Sequence, residues 1–194
     1  TRGVMTKAVI CAYARTPIGK FRGALSNYSA TELGSKVVEE LLKRVRIDPE
    51  SGIVDQVYIG QVLQAGSGQN PARQVTLGAG LPVTTSASTI NKVCGSSLEA
   101  AMLAANSILA GKSKVVIAGG MESMSNAPYL LPNVRGGMRM GHGEVKDHMF
   151  LDGLEDAFES GTLMGAYAEA TAQHYQFTRQ AQDEFALRSL SRAK

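Results

Sequence analysis

Cys94 is the residue whose surroundings point most directly to chemistry. It stands where a β-rich run, residues 85–90 (TSASTI), gives way to an Ala-rich helical stretch, residues 94–110. A cysteine at a helix N-terminus meets unpaired backbone N–H groups and the positive end of the helix dipole, and both favour the thiolate. Gly95, Ser96 and Ser97 follow. They are small enough to let a bulky substrate reach the sulfur and to leave the first-turn N–H groups open to an oxyanion. On position alone the plainer reading stays open, a cysteine buried as a small hydrophobe.

The other reactive side chains group less well. Cys11 lies inside the apolar run of residues 7–14 (KAVICAYA) and reads as structural. The two cysteines form no CxxC or Cys/His spacing, so neither a disulfide framework nor a zinc site is expected. A cysteine nucleophile needs a base, yet His142, His148 and His174 all fall beyond the core and none is an obvious partner. His142 and His148 with Glu144 and Asp147 match no known ligand spacing, so no metal is expected. Gly66 and Gly68 open like a dinucleotide fingerprint, but Pro71 stands where the third glycine belongs. A nucleophile elbow needs glycines where Lys92 and Ser96 stand, which argues against an α/β-hydrolase or a glutamine amidotransferase. Lys92 and Ser96 themselves read as solvated or helix-capping.

The elements that position Cys94 follow from periodicity. Residues 7–14 read as a first strand that breaks at Pro17. Ser29 and Glu32 have the capping-box spacing, and Leu33, Val37, Leu41 and Val45, with Val38 and Leu42 beside them, predict an amphipathic helix. Residues 54–63 and 85–90 read as strands, separated by a Gly-rich stretch with a helical turn in PARQVTLG. The helix of residues 94–110 carries Leu98, Met102, Ala105 and Leu109 on one stripe and stops at Gly111. Residues 114–118 (KVVIA) form a continuous apolar run, as expected of a strand buried on both faces, ended by Gly119 and Gly120. This order argues an α/β sheet with helices on its faces. Beyond Met121 a Gly-, Met- and His-rich excursion precedes helical periodicity near Leu163, and a last helix is expected from Thr178 to the chain's end.

Composition bounds the alternatives. The 194 residues can bury one sizeable core and carry a lobe beyond it. Hydrophobic residues at 44% and charged residues at 19% fit a soluble globular protein. The net charge of +3 is scattered, without the basic runs of a nucleic-acid binder. No apolar run reaches the roughly 18 to 20 residues of a membrane span, and no secretory signal is evident; the two cysteines, without a disulfide framework, make a reducing, cytoplasmic setting the expectation. Residues 1–5 read as a tag remnant ahead of a start methionine. No internal repeat is visible.

Residues 91–98 (NKVCGSSL) resemble the active-site segment of the thiolases, the acetyl-CoA acetyltransferases and 3-ketoacyl-CoA thiolases. Residues 15–25 (RTPIGKFRGAL), 68–74 (GQNPARQ) and 119–125 (GGMESMS) resemble other thiolase segments in the same order. Residues 152–158 (DGLEDAF), followed by Leu163, Met164 and Gly165, resemble the family's loop domain, which covers the pantetheine arm of CoA. Many short-chain family members have His-Met-Gly at 163–165, so acetoacetyl-CoA as substrate is not implied.

The resemblance implies a thiolase-like mixed sheet with helices on both faces, the first half of an αβαβα layered fold, plus a loop-domain excursion. The core would span 5–120, and 121–194 would form the loop domain and the start of the return to the core. It implies that Cys94 is acylated by acyl-CoA and that Leu154 and Met164 contact substrate, although both could instead form a small lobe core. No resident cofactor is implied, the CoA thioester being the substrate. A homodimer or homotetramer is implied, with residues 126–147 near a tetramer contact. The family's Asn-Glu-Ala, Gly-His-Pro and Cys-x-Gly segments have no match here. Two alternatives therefore stand beside a catalytic thiolase chain: a non-catalytic CoA-binding subunit or scaffold, and a related ketoacyl synthase, which the residues around Cys94 and residues 119–123 disfavour.

Overall fold

The computed structural model describes residues 7–194, so the reading of residues 1–5 lies outside the described residues. The chain divides into two units, one ending at Met149 and the other Phe150–Lys194.

In the first unit, β1 (Gln56–Gly60), β2 (Ser86–Ile90) and β3 (Val116–Gly120) form a parallel sheet in the order β2-β1-β3. Helices α2 (Pro71–Gly78) and α3 (Ser96–Leu109) make the crossovers, while α1 (Ala30–Val45) precedes β1. Successive residues of a strand point to opposite faces, and β1 uses both. Val57 and Ile59 join Val38, Leu42, Ala72, Val75, Ala79, Leu81 and Ile117 in one buried cluster with α1 and α2. Gln56 and Gly60 meet α3 instead: Ser107 Oγ donates to Gln56 Oε1 at 3.2 Å, and the start of α3 lies directly on Gly60. The sheet thus carries helices on both faces, the expected α/β class. Among the described residues no helix is long and apolar enough to cross a membrane.

Local chemistry explains the helix starts. Ser29 and Glu32 close a capping box: Glu32 N–H donates to Ser29 Oγ at 3.2 Å and Ser29 N–H to Glu32 Oε2 at 2.8 Å. The bond from the Ser29 N–H, with a second that Ser29 Oγ donates to the same Glu32 oxygen at 2.8 Å, holds the Glu32 carboxyl below its usual range. Asn70 caps α2, with Pro71 at the first helical position, where its missing N–H costs nothing.

Several details differ from expectation. Residues 7–14 form no strand; Val9, Ile10 and Tyr13 are exposed, and Cys11 is exposed with them. An extended run becomes a strand only when a neighbour pairs its N–H and C=O groups, and no ladder partner occurs among the described residues. The buried row of α1 is Ala30, Gly34, Val38 and Leu42, one residue along from the Leu33 row, because Gly34 fits tightly against Val75 and Met121. On α3 the predicted stripe is largely exposed, with Leu98 at 67%, while Ala100, Ala104 and Ser107 face the sheet. Small side chains permit that close approach.

Beyond β3, the short strands β4 (Tyr129–Leu130) and β5 (Lys146–Asp147) pair antiparallel and close the base of the excursion. In the second unit a π-helical turn, Phe150–Leu154, leads to α4 (Met164–His174) and α5 (Arg179–Ala193), the latter capped by Thr178 Oγ1 accepting Ala181 N–H at 3.1 Å. Glu155 and Leu163 form an antiparallel bridge across the loop between that turn and α4.

Candidate active site

Cys94 sits in the five-residue turn between β2 and α3, two residues before the first helical position. Its thiol is exposed. The turn contains Val93 at φ 49°, in the left-handed region. A β-branched residue there is a genuine outlier, costing on the order of 1–3 kcal/mol unless its surroundings enforce it.

Side chains do enforce it. Val93 N–H donates to Asn91 Oδ1 at 3.0 Å. Val93 C=O accepts from Ser96 Oγ at 2.6 Å and from Ser96 N–H at 3.1 Å. Ser96 Oγ in turn accepts Lys92 N–H at 2.8 Å, and Gly95 N–H donates to Lys92 C=O at 3.1 Å. Ser96 is buried, so it cross-links the turn and is not a solvated cap. Lys92 pairs with Glu99 at 2.6 Å near the surface.

The turn is fastened to the ends of the strands. Asn91 Nδ2 reaches Val62 C=O at 3.5 Å. The Glu122 carboxylate accepts Val62 N–H at 2.9 Å and Leu63 N–H at 3.1 Å, clamping the segment after β1 to the segment after β3. Gln61 N–H donates to Ile90 C=O at 3.0 Å and Met121 N–H to Gly60 C=O at 2.9 Å. Cys94 therefore lies by the carboxyl ends of parallel strands, where open α/β sheets place their ligands.

Two glycines let α3 approach. A Cβ on Gly60 would stand 2.7 Å from Ser96 C and Ser97 N, and one on Gly120 would stand 2.7 Å from Ser97 Cβ. Among the described residues the N–H of Cys94 donates to no acceptor, which leaves one donor for a developing oxyanion at the sulfur's own residue.

The motif segments converge within this unit. Arg22 N–H donates to Ser125 Oγ at 2.8 Å, and Asn126 Nδ2 donates to Ser26 and Tyr28 C=O, each at 2.9 Å. Residues 14–21 and 120–125 border a cavity of about 390 Å³ that excludes Cys94. Asn70 Nδ2 donates to Ala87 C=O at 3.1 Å, tying GQNPARQ to β2.

No side chain among the described residues hydrogen-bonds the Cys94 sulfur. His142 is exposed, and His148 is buried with its Nε2 accepting Ala65 N–H at 3.2 Å. Among the described residues no three His, Cys, Asp or Glu side chains are grouped to hold a metal ion.

In the second unit, half-buried Leu154 ends the π-helical turn and Met164, 44% exposed, opens α4. The loop between them is held locally. Asp156 Oδ1 accepts Glu159 and Phe158 N–H groups at 2.8 and 2.9 Å, and these bonds hold its carboxyl below the usual range. Partial removal from water and the hydrogen bond it donates to Glu159 push the Tyr167 phenol up to about 12.

Residues 8–194 match the family model described as the thiolase N-terminal domain. The chain is similar to the acetyl-CoA acetyltransferase of Cupriavidus necator, 52% identical over 190 residues covering 98% of this chain and 48% of that protein. The acetyl-CoA acetyltransferase of Pseudomonas aeruginosa is 50% identical over 189 residues, 97% of this chain and 47% of that protein. Acetyl-CoA acetyltransferase 1 of Arabidopsis thaliana is 47% identical over 183 residues, 94% of this chain and 43% of that protein. The chain spans about half the length of the curated relatives it matches.

Proposed function

Because the chain belongs to the thiolase family through its N-terminal domain, we propose that it supplies the nucleophile of an acyl-CoA C-acyltransferase of the acetyl-CoA acetyltransferase type. The observation that carries this reading is Cys94, exposed on a braced turn, with an N–H that donates to no acceptor among the described residues.

Cys94 thiolate attacks the carbonyl carbon of acyl-CoA, and the tetrahedral intermediate expels CoA, which leaves as the thiol after taking up a proton. The acyl group now rests on sulfur as a thioester. A second acetyl-CoA loses an α-proton to a base, and its carbanion attacks that thioester, forming the new C–C bond of a 3-ketoacyl-CoA and releasing the Cys94 thiolate. Thiolysis is the same sequence reversed. Splitting the exchange through a covalent intermediate replaces one hard step by two easier ones. Cys94 N–H donates to the oxyanion in both halves, and such a donor is worth about 2.7 to 4 kcal/mol.

The base and the second oxyanion donor come from the half of the enzyme that this chain does not span. Residues 121–194 serve as the loop domain and the start of the return to the core, with Leu154 and Met164 touching the acyl-CoA. The CoA thioester is substrate, no resident cofactor takes part, and the enzyme works as a cytoplasmic homodimer or homotetramer.

Cys94→Ser and Cys94→Ala in the full-length enzyme test the assignment. Turnover of 3-ketoacyl-CoA with CoA falls by roughly 10⁴-fold or more, while CoA binding persists. Turnover within about tenfold of wild type would remove Cys94 from the chemistry and favour a CoA-binding or scaffold role for this domain.

A further inference from the structure

We propose that Asn91 is a positioning residue: its Oδ1 holds Val93 in the left-handed region and so fixes the Cys94 sulfur and N–H toward the acyl carbonyl. The proposal rests on the acyl-cysteine reading above. Val93 is 51% exposed, so packing does not select its unusual φ of 49°. Polar contacts select it instead, and they divide by side. Ser96 holds the carbonyl, whereas the Val93 N–H has a single recorded acceptor, Asn91 Oδ1 at 3.0 Å.

Asn91 can act as an anchor because it follows β2 directly and its Nδ2 reaches Val62 C=O. Val62 is itself held through its N–H by Glu122. Without Asn91 Oδ1, Val93 gains by relaxing to negative φ. That rotation swings Cys94 relative to β2 while leaving the core cluster untouched. A displacement of about 1 Å at a reacting atom costs up to roughly 10²-fold in rate.

The test uses the full-length enzyme and measures kcat, KM and the pH profile of Cys94 alkylation. Asn91→Ala lowers kcat roughly 10- to 100-fold with KM nearly unchanged. Val93→Gly placed in that background recovers more than half of the loss on a logarithmic scale, because glycine adopts positive φ without penalty. Asn91→Asp keeps the acceptor and loses less kcat than the alanine variant, while its charge moves the alkylation profile to higher pH. It also provides the test if Asn91→Ala fails to fold. An Asn91→Ala kcat within about threefold of wild type, or a loss that Val93→Gly leaves unchanged, overturns the proposal. For Asn91→Asp alone, a kcat loss as large as that of Cys94→Ser does the same. Cys94→Ser assayed in parallel separates the two claims: if it turns over within about tenfold of wild type, the acyl-cysteine reading has failed; if it is inactive while Asn91→Ala keeps a kcat within about threefold of wild type, only the role of Asn91 has.

Discussion

Gly60→Ala should damage the site without touching Cys94. The added Cβ would stand 2.7 Å from both Ser96 C and Ser97 N and 2.8 Å from Ser96 Cβ, where ordinary van der Waals contact begins at 3.4 Å. Two of those atoms are backbone, so no rotamer change relieves the clash, and the start of α3 has to lift from β1. Overpacking of this kind costs about 1–3 kcal/mol. The lift also moves Ser96, whose hydroxyl braces Val93, so catalysis should fall further than stability alone explains. Gly119→Ala is the matched control, since a Cβ there meets nothing within 4 Å and should change stability by less than about 0.5 kcal/mol. Urea unfolding and iodoacetamide alkylation of Cys94 provide the two readouts, made on both variants of the full-length enzyme. If Gly60→Ala alkylates and unfolds like Gly119→Ala, the close packing of α3 on β1 does not position the nucleophile.

Other outcomes follow from the frame around the site. Asp55 Oδ2 accepts Lys114 and Val115 N–H groups at 2.7 and 3.1 Å, bonds that hold its carboxyl below the usual value of 3.8. Its folded pKa is thus lower than its unfolded one, and the stabilisation is present above that unfolded value and lost as pH falls through the folded one. The stability gap between wild type and Asp55→Ala should stay flat above about pH 5 and narrow below about pH 4, as urea titrations across pH would show. Ser29→Ala removes the α1 cap and should cost about 0.5–2 kcal/mol, whereas equal stability of the two proteins would mean that α1 is held by packing alone.

Much of the fold was legible because its signals are local. Ser29 with Glu32, Pro71 after Asn70, and Thr178 each mark a helix start through one side chain and one or two backbone groups. Non-local pairing was not legible. Residues 7–14 have the composition of a strand, but composition does not supply a partner. Gly119 and Gly120 read as terminators of β3, yet they pair with Ile59 and Gly60. Glycine normally weakens a strand; Gly120 stands there because α3 approaches too closely for a Cβ. Periodicity located a stripe on α3 without telling which side meets the sheet, since Ala100, Ala104 and Ser107 make that contact by being small. At the site, Cys94 was legible from its junction and its neighbours. Ser96 and Asn91 were not recognised as braces, because their hydrogen bonds depend on Val93 adopting a left-handed φ that a β-branched residue never advertises.

The proposed acylation of Cys94 can be trapped directly. Full-length enzyme mixed with acetyl-CoA alone, acid-quenched and peptide-mapped by mass spectrometry, should carry one acetyl group on the peptide containing Cys94, and a later addition of CoA should remove it. A turning-over enzyme that leaves Cys94 unmodified, or carries the acetyl group on another residue, would exclude Cys94 as the acyl carrier.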